Sequence, residues 1–186
     1  MAPFSHPRLL GATPEAAPGP LVRYHARVLS LILLLACSPD ETSISGSVAG
    51  QPFNNALTAY FGGRYLFFSN TPLDCMDVDW VNWSYVEGED PAGTDMIAVQ
   101  FTYERDVEVS LGHYDLKDRA QVKGSALLID GGGFAEYRVI EGELVVESVY
   151  DRDKVTGTFH LIRFQDTEDG ELEASFTAKW CVNLPD

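Results

Sequence analysis

From Ile44 onward the chain alternates apolar and polar residues with a period of two, and turn-forming residues interrupt the alternation every few positions. Such a pattern puts successive side chains on opposite faces of a pleated strand, so it predicts strands and almost no helix. Strands are expected over Ile44 to Ala49, Asn55 to Phe61, Arg64 to Phe68, Asp79 to Val86, Met96 to Tyr103 and Val107 to Gly112. A second set covers Val122 to Ile129, Phe134 to Glu141, Leu144 to Tyr150, Val155 to Phe164 and Leu172 to Cys181. The unbroken aromatic run in Arg64 to Phe68 suits a strand covered on both faces. Turns are expected at Gly50-Gln51-Pro52, Gly62-Gly63, Gly131-Gly132-Gly133, Glu141-Gly142-Glu143, Asp151-Arg152-Asp153 and Asp169-Gly170, because Gly and Asp tolerate positive φ. About ten short strands at this spacing define an all-β domain, an antiparallel β-sandwich or a β-barrel. Either frame is silent about function.

Upstream the pattern changes. The apolar run Val28 to Ala36 follows Arg23 and Arg27 and closes on Leu34-Leu35-Ala36-Cys37. It is shorter than the roughly 20 residues a membrane span needs. A basic flank, a short apolar stretch and a small residue at the end are the three parts of a signal peptide. The closing tetrapeptide resembles the lipobox of bacterial lipoproteins. That resemblance implies a cleaved signal peptide over 1–36, a lipidated tether over 37–43 and an all-β domain over 44–186. Cys37 becomes the mature N-terminus, with diacylglycerol on its thiol, so the bilayer is the partner that acylated Cys37 brings. Ser38 in place of aspartate after that cysteine implies, in a two-membrane envelope, sorting to the outer membrane. Met1 to Pro20 is rich in Pro, Ala and Gly and makes an overlong leader, so translation is expected to begin near Leu21 or Val22.

Export changes the meaning of the cysteines. With Cys37 committed to lipid, Cys75 and Cys181 are left as an even pair in an oxidising compartment, which predicts a disulfide between them. Three segments carry a further, looser likeness: Ile44-Ser45-Gly46-Ser47-Val48-Ala49-Gly50-Gln51-Pro52-Phe53, Leu73-Asp74-Cys75, and Gly157-Thr158-Phe159 with Ala174 to Cys181. Together they resemble bacterial lipoproteins with a single β-sandwich domain and no characterised activity, and the resemblance implies the same cysteine pair.

The chain carries 13 basic against 28 acidic residues, a net charge of −15. Loss of Arg8, Arg23, Arg27 and Glu15 with the leader makes the remainder more acidic still. Such a surface repels nucleic acid and anionic headgroups, so no nucleic-acid partner is expected, and the charge serves solubility.

Candidate chemistry is sparse. Asp74, Asp77 and Asp79 could offer oxygens to calcium, but an extended segment puts Asp74 on the opposite face from the other two, so a solvated acidic loop is expected. In Asp166-Thr167-Glu168-Asp169-Gly170-Glu171 the glycine stands fifth, where a calcium loop needs it sixth, so a hairpin tip is expected. No metal and no cofactor is implied. His160 is read as a structural strand histidine on a face with Thr158, Ile162 and Phe164, opposite Phe159, Leu161 and Arg163. His113, near Asp115, is a general base only if the fold brings it a nucleophile. With no nucleophile elbow, zinc-type histidine pair or phosphate loop, no enzyme is expected.

The rings of Tyr60, Tyr65, Phe67, Trp80, Trp83 and Tyr85 suit core packing, except that alternation leaves Trp80 with Asn82 and Ser84 on the polar face. Trp80 is thus the expected exposed ring, a contact for an envelope protein or a glycan. The expectation is a lipid-anchored, non-catalytic binding module of the cell envelope. A lipocalin-like carrier of an apolar ligand and an envelope hydrolase are the alternatives. A filled interior favours the first, a hollow one the second, and a cleft joining His113 to carboxylates the third.

Overall fold

The computed structural model describes residues 42–78, 95–130, 133–182 and 184. The described strands are β1 (Ser43–Val48), β2 (Gln51–Pro52), β3 (Thr58–Gly62), β4 (Tyr65–Ser69), β5 (Met96–Tyr103), β6 (Gly112–Asp115), β7 (Val122–Asp130), β8 (Gly133–Tyr150), β9 (Lys154–Phe164) and β10 (Gly170–Trp180). The strand expected over Asp79 to Val86 and the glycines Gly131 and Gly132 lie outside the described residues, as do Cys37 and everything before 42.

The all-β expectation holds, and of its two forms the structure is the barrel. Strands β3, β4, β5, β7, β8, β9 and β10 close into a seven-strand ring, with β1, β2 and β6 as additions. Every described pairing is antiparallel except the one that closes the ring, where Lys179 faces Tyr60 and Trp180 faces Phe61 in parallel. β1 occupies the same side of β10 lower down, from Gly170 to Ser175. Between the two stretches Thr42 fills in: its Oγ1 donates to the Thr177 carbonyl (3.0 Å) and accepts from the Thr177 N–H (3.1 Å).

Three elements depart from expectation. Glu141-Gly142-Glu143 is not a turn: β8 continues through it unbroken as an 18-residue strand that pairs β7 with its first half and β6 with its second. Register shifts at Val139/Glu141 and Glu141/Gly142 bend the strand instead, as bulges do at barrel corners. Only glycine fits at the bend, since a Cβ on Gly142 would lie 2.5 Å from the His160 carbonyl oxygen. Second, the expected strand over Val107 to Gly112 is displaced, and β6 begins where it was to end. Third, the first turn is Ala49-Gly50, one residue early, with φ of 48° and 76°, the positive pair that a tight two-residue hairpin requires.

Alternation sorts the side chains into two cores. Inward-facing residues, among them Leu66, Phe68, Val99, Phe101, Leu144, Phe159, Leu161 and Phe176, fill the barrel. Phe68 lies 5.0 Å from Phe176, 5.4 Å from Phe159 and 6.2 Å from Phe101, ring centre to ring centre, so the middle of the barrel is occupied by packed aromatic rings. The second core lies outside the wall: Tyr65, Phe67, Met96, Ala98, Leu127 and Ile129 face away from the interior and are covered by Leu73, Cys75, Val78, Cys181 and Leu184. This is why β4 is buried at every position, the two-sided burial its aromatic run predicts.

Candidate functional site

The cover over the outer core is built from short-range polar chemistry. Thr58 and Ser69 are buried polar residues, and both are satisfied by the segment that leads into the cover. Thr58 Oγ1 donates to the Thr71 carbonyl (2.8 Å) and accepts from the Leu73 N–H (2.8 Å), while Ser69 Oγ accepts from the Thr71 N–H (3.0 Å). Asn70 Oδ1 accepts from the Ile97 N–H (2.8 Å), and Tyr60 donates its hydroxyl to the Leu73 carbonyl (3.2 Å).

Helix begins at Cys75 and covers 75–78 among the described residues. Asp74 caps it, Oδ1 accepting from the N–H groups of Met76 (2.8 Å) and Asp77 (3.1 Å), and Asp77 reaches back with Oδ2 to the Asp74 N–H (3.1 Å). The reciprocal pair is a capping box. It corrects the extended reading of this segment: two of the three carboxylates proposed as an acidic loop are there to start a helix, and Asp79 lies outside the described residues. An acidic residue three positions after Asp74 is a signal the sequence did carry.

The expected disulfide is present. Cys75 and Cys181 are bonded with Cα atoms 5.5 Å apart and a sequence separation of 106. The bond joins the helical turn to the residue that follows β10, and both lie against the outer core. Tyr60, Tyr65 and Phe67 of the aromatic group pack there too, whereas Trp80, Trp83 and Tyr85 lie outside the described residues.

His113 and His160 stand on the outer wall of the barrel. His113 Nε2 is 2.8 Å from Glu143 Oε2, and His160 Nε2 is 2.7 Å from Glu171 Oε1, with the His113 side chain 66 % exposed. Glu143 also faces His160 directly across the β8–β9 ladder, so the fold gathers both rings and two carboxylates onto one stretch of open sheet. Each imidazole has a carboxylate at one nitrogen, and His160 lines an open groove of about 520 Å³ together with Ser43, Ser45, Thr158 and Glu173. The His160 face differs from strict alternation: β9 buries Phe159, Leu161 and Phe164 and exposes both Ile162 and Arg163. The register shift opposite Glu141 and Gly142 inverts the pattern there, putting Phe164 inside and Arg163 outside, where its Nη2 pairs with Glu141 (3.2 Å).

The Asp166 to Gly170 stretch is the tip between β9 and β10, with Asp166 at φ 65° and the Asp169 N–H donating to Thr167 Oγ1 (3.2 Å). Among the described residues no three His, Cys, Asp or Glu side chains converge in a way that could hold a metal ion. At the barrel's end the Tyr103 hydroxyl is buried with no hydrogen-bond partner among the described residues. Burial first, and the neighbouring Tyr114 second, push its phenol far above the usual range.

Grooves on the outer wall complete the picture. One of about 420 Å³ is lined by Thr102, Arg119, Lys123, Ser125, Glu136 and Arg138, among others, and a neighbour of about 430 Å³ shares Thr102, Arg119 and Lys123. Sequence reasoning missed this basic group because Lys123 comes from β7, Arg138 from β8, and Arg64, Arg105 and Arg119 from loops before β4, after β5 and before β7. Comparison of the chain with protein-family models, with curated proteins and with solved structures gave no match.

Proposed function

We propose that the protein is a lipid-anchored module of the cell envelope that binds through the outside of its barrel and carries out no chemistry. The observation that carries the reading is the packing of Phe68, Phe101, Phe159 and Phe176 across the barrel's middle. An apolar-ligand carrier needs empty volume in that place. With the interior taken up by side chains, a ligand or partner has only the outer wall to meet. The exposure of His113 supports a non-catalytic role over the hydrolase alternative, since a general base works within hydrogen-bond reach of a held substrate. Anchoring rests on Leu34-Leu35-Ala36-Cys37, and Thr42 enters the fold beside β10 only a few residues later.

The test is incorporation of labelled palmitate into the full chain and into Cys37→Ala, followed by membrane fractionation. Labelled, membrane-bound protein that becomes unlabelled and soluble on substitution supports the reading. Equal behaviour of the two proteins overturns it.

A further inference from the structure

We infer that the outer wall across β4, β5 and β7 carries a binding site for a ligand with two phosphate groups. The inference deepens the reading of the barrel as a binding module by naming a ligand class, and it needs neither the anchor nor the leader. The two adjoining grooves are lined by five cationic side chains, Arg64, Arg105, Arg119, Lys123 and Arg138, against two carboxylates, Glu104 and Glu136. A third groove of about 740 Å³ shares Arg64 and Arg105 and adds Asp106 and Glu108, so the wall carries five cations against four carboxylates on a chain whose net charge is −15. Clustering of cations is not what solubility asks of so acidic a surface, where scattered basic residues would each find an acidic neighbour.

Among the described residues none of these five forms an ion pair. Among the described residues the guanidinium of Arg163 pairs with Glu141, and Arg152 lies over Trp180 and Lys154 over Tyr150. By contrast Arg105, Arg119, Lys123 and Arg138 form no ion pair there. Arg64 is steadied by neutral groups only: its Nη2 donates to the Tyr65 hydroxyl (3.0 Å), its guanidinium stacks 5.2 Å from that ring, and its Nε is buried without a partner. Arg64 is thus oriented while its charge stays uncompensated.

The backbone places these groups well. Thr102 faces Tyr65 on one side and Lys123 on the other, and Ser125 faces Arg138, so Tyr65, Thr102, Lys123 and Arg138 share the outer face. Arg119 is held in the loop before β7, where Asp115 accepts from the Lys117 N–H and Asp118 from the Ala120 N–H, while the Gln121 carbonyl takes the Glu104 N–H. Arginine forks match phosphate oxygens two at a time, and lysine adds a mobile charge. Arg119 and Lys123 sit where the grooves meet, so each groove can take one phosphate and the shared pair can bridge them. Thr102 and Ser125 add hydroxyls between.

Inorganic pyrophosphate is the probe, titrated calorimetrically into the full chain carrying Cys37→Ala, at fixed ionic strength, because exposed charges are screened by salt. The expected result is saturable binding that Arg119→Gln/Lys123→Gln weakens tenfold or more, the effect of losing charge-assisted hydrogen bonds. The control is Lys154→Gln/Lys179→Gln, the facing lysines of the β9–β10 ladder, which removes the same charge elsewhere and leaves affinity within twofold. Vesicles containing phosphatidylglycerol form a second arm. Vesicle binding that the same pair of substitutions abolishes assigns the phosphates to a lipid headgroup, and pyrophosphate binding alone assigns them to a soluble ligand. Absence of binding in both arms overturns the inference, as does equal loss in the two double variants. If Arg119→Gln/Lys123→Gln fails to melt cooperatively, Arg138→Gln replaces it with the same criteria. Failure of palmitate labelling at Cys37 would leave this result untouched.

Discussion

Cys181 follows the last residue of β10 and is bonded to Cys75 in the helical turn, at a sequence separation of 106. The bond fastens the cover of the outer core at both of its ends, since the turn and the C-terminal residues Cys181 and Leu184 share that core. A closed loop of this length restricts the unfolded chain strongly, by about 4–5 kcal/mol in the loop-entropy account. Cys75→Ser/Cys181→Ser is therefore expected to lose about 2–5 kcal/mol, measured by denaturant unfolding without reductant. A loss below about 1 kcal/mol would mean that the polar latch at Thr58 holds the cover unaided.

That latch has its own prediction. Thr58 Oγ1 is donor to one backbone group and acceptor from another, and the residue is 4 % exposed. Thr58→Val keeps the shape but leaves the Thr71 carbonyl and Leu73 N–H without their partner. The expected cost is about 1–3 kcal/mol, read by chemical denaturation, with faster amide exchange at Leu73 than elsewhere in the barrel. Uniform exchange across the barrel would show that the latch does not act locally.

How the sequence led to this fold, and where it stopped, follows from the range of each interaction. The two faces of β4 were legible because Tyr65-Leu66-Phe67-Phe68 has no polar position to offer solvent. The Cys75–Cys181 bond was legible because the lipobox resemblance assigned Cys37 to lipid, and of the three cysteines that reading left one pairing. The unbroken passage of β8 through Gly142 was not, because Glu-Gly-Glu has the composition of a turn, and only the close approach of the His160 carbonyl shows that the glycine serves a bend. Nor was the inversion of β9 at Ile162 and Arg163, which follows from that same bulge on the neighbouring strand. The basic grooves join residues from positions 64 to 138, so no local pattern could have revealed them.

Filling of the barrel gives a sharp expectation. Phe159 is 2 % exposed and its ring lies 5.4 Å from Phe68 and 5.2 Å from Phe101. Truncating it to alanine removes those contacts and leaves a void that rigid strands cannot close, at a cost of about 3–5 kcal/mol. Thermal or denaturant unfolding of Phe159→Ala measures it. A cost under about 1.5 kcal/mol would mean that the interior is loosely packed, and would revive the carrier reading.

The Tyr103 phenol makes stability depend on pH in a predictable direction. Its hydroxyl is buried, and burial with Tyr114 beside it raises the folded-state pKa far above the ordinary value near 10. Below about pH 10 both states hold the proton, and the residue adds no slope. Above that value the unfolded chain loses the proton while the folded chain keeps it, so the unfolded state binds fewer protons and stability falls as pH rises. The fall approaches about 1.4 kcal/mol per pH unit. Tyr103→Phe removes the titrating group and, since the hydroxyl has no partner among the described residues, costs little at neutral pH. Unfolding free energies of the two proteins are thus expected to differ by less than about 1 kcal/mol at pH 7 and to diverge in favour of the variant above about pH 10. Parallel curves through that range would place the Tyr103 hydroxyl in contact with water.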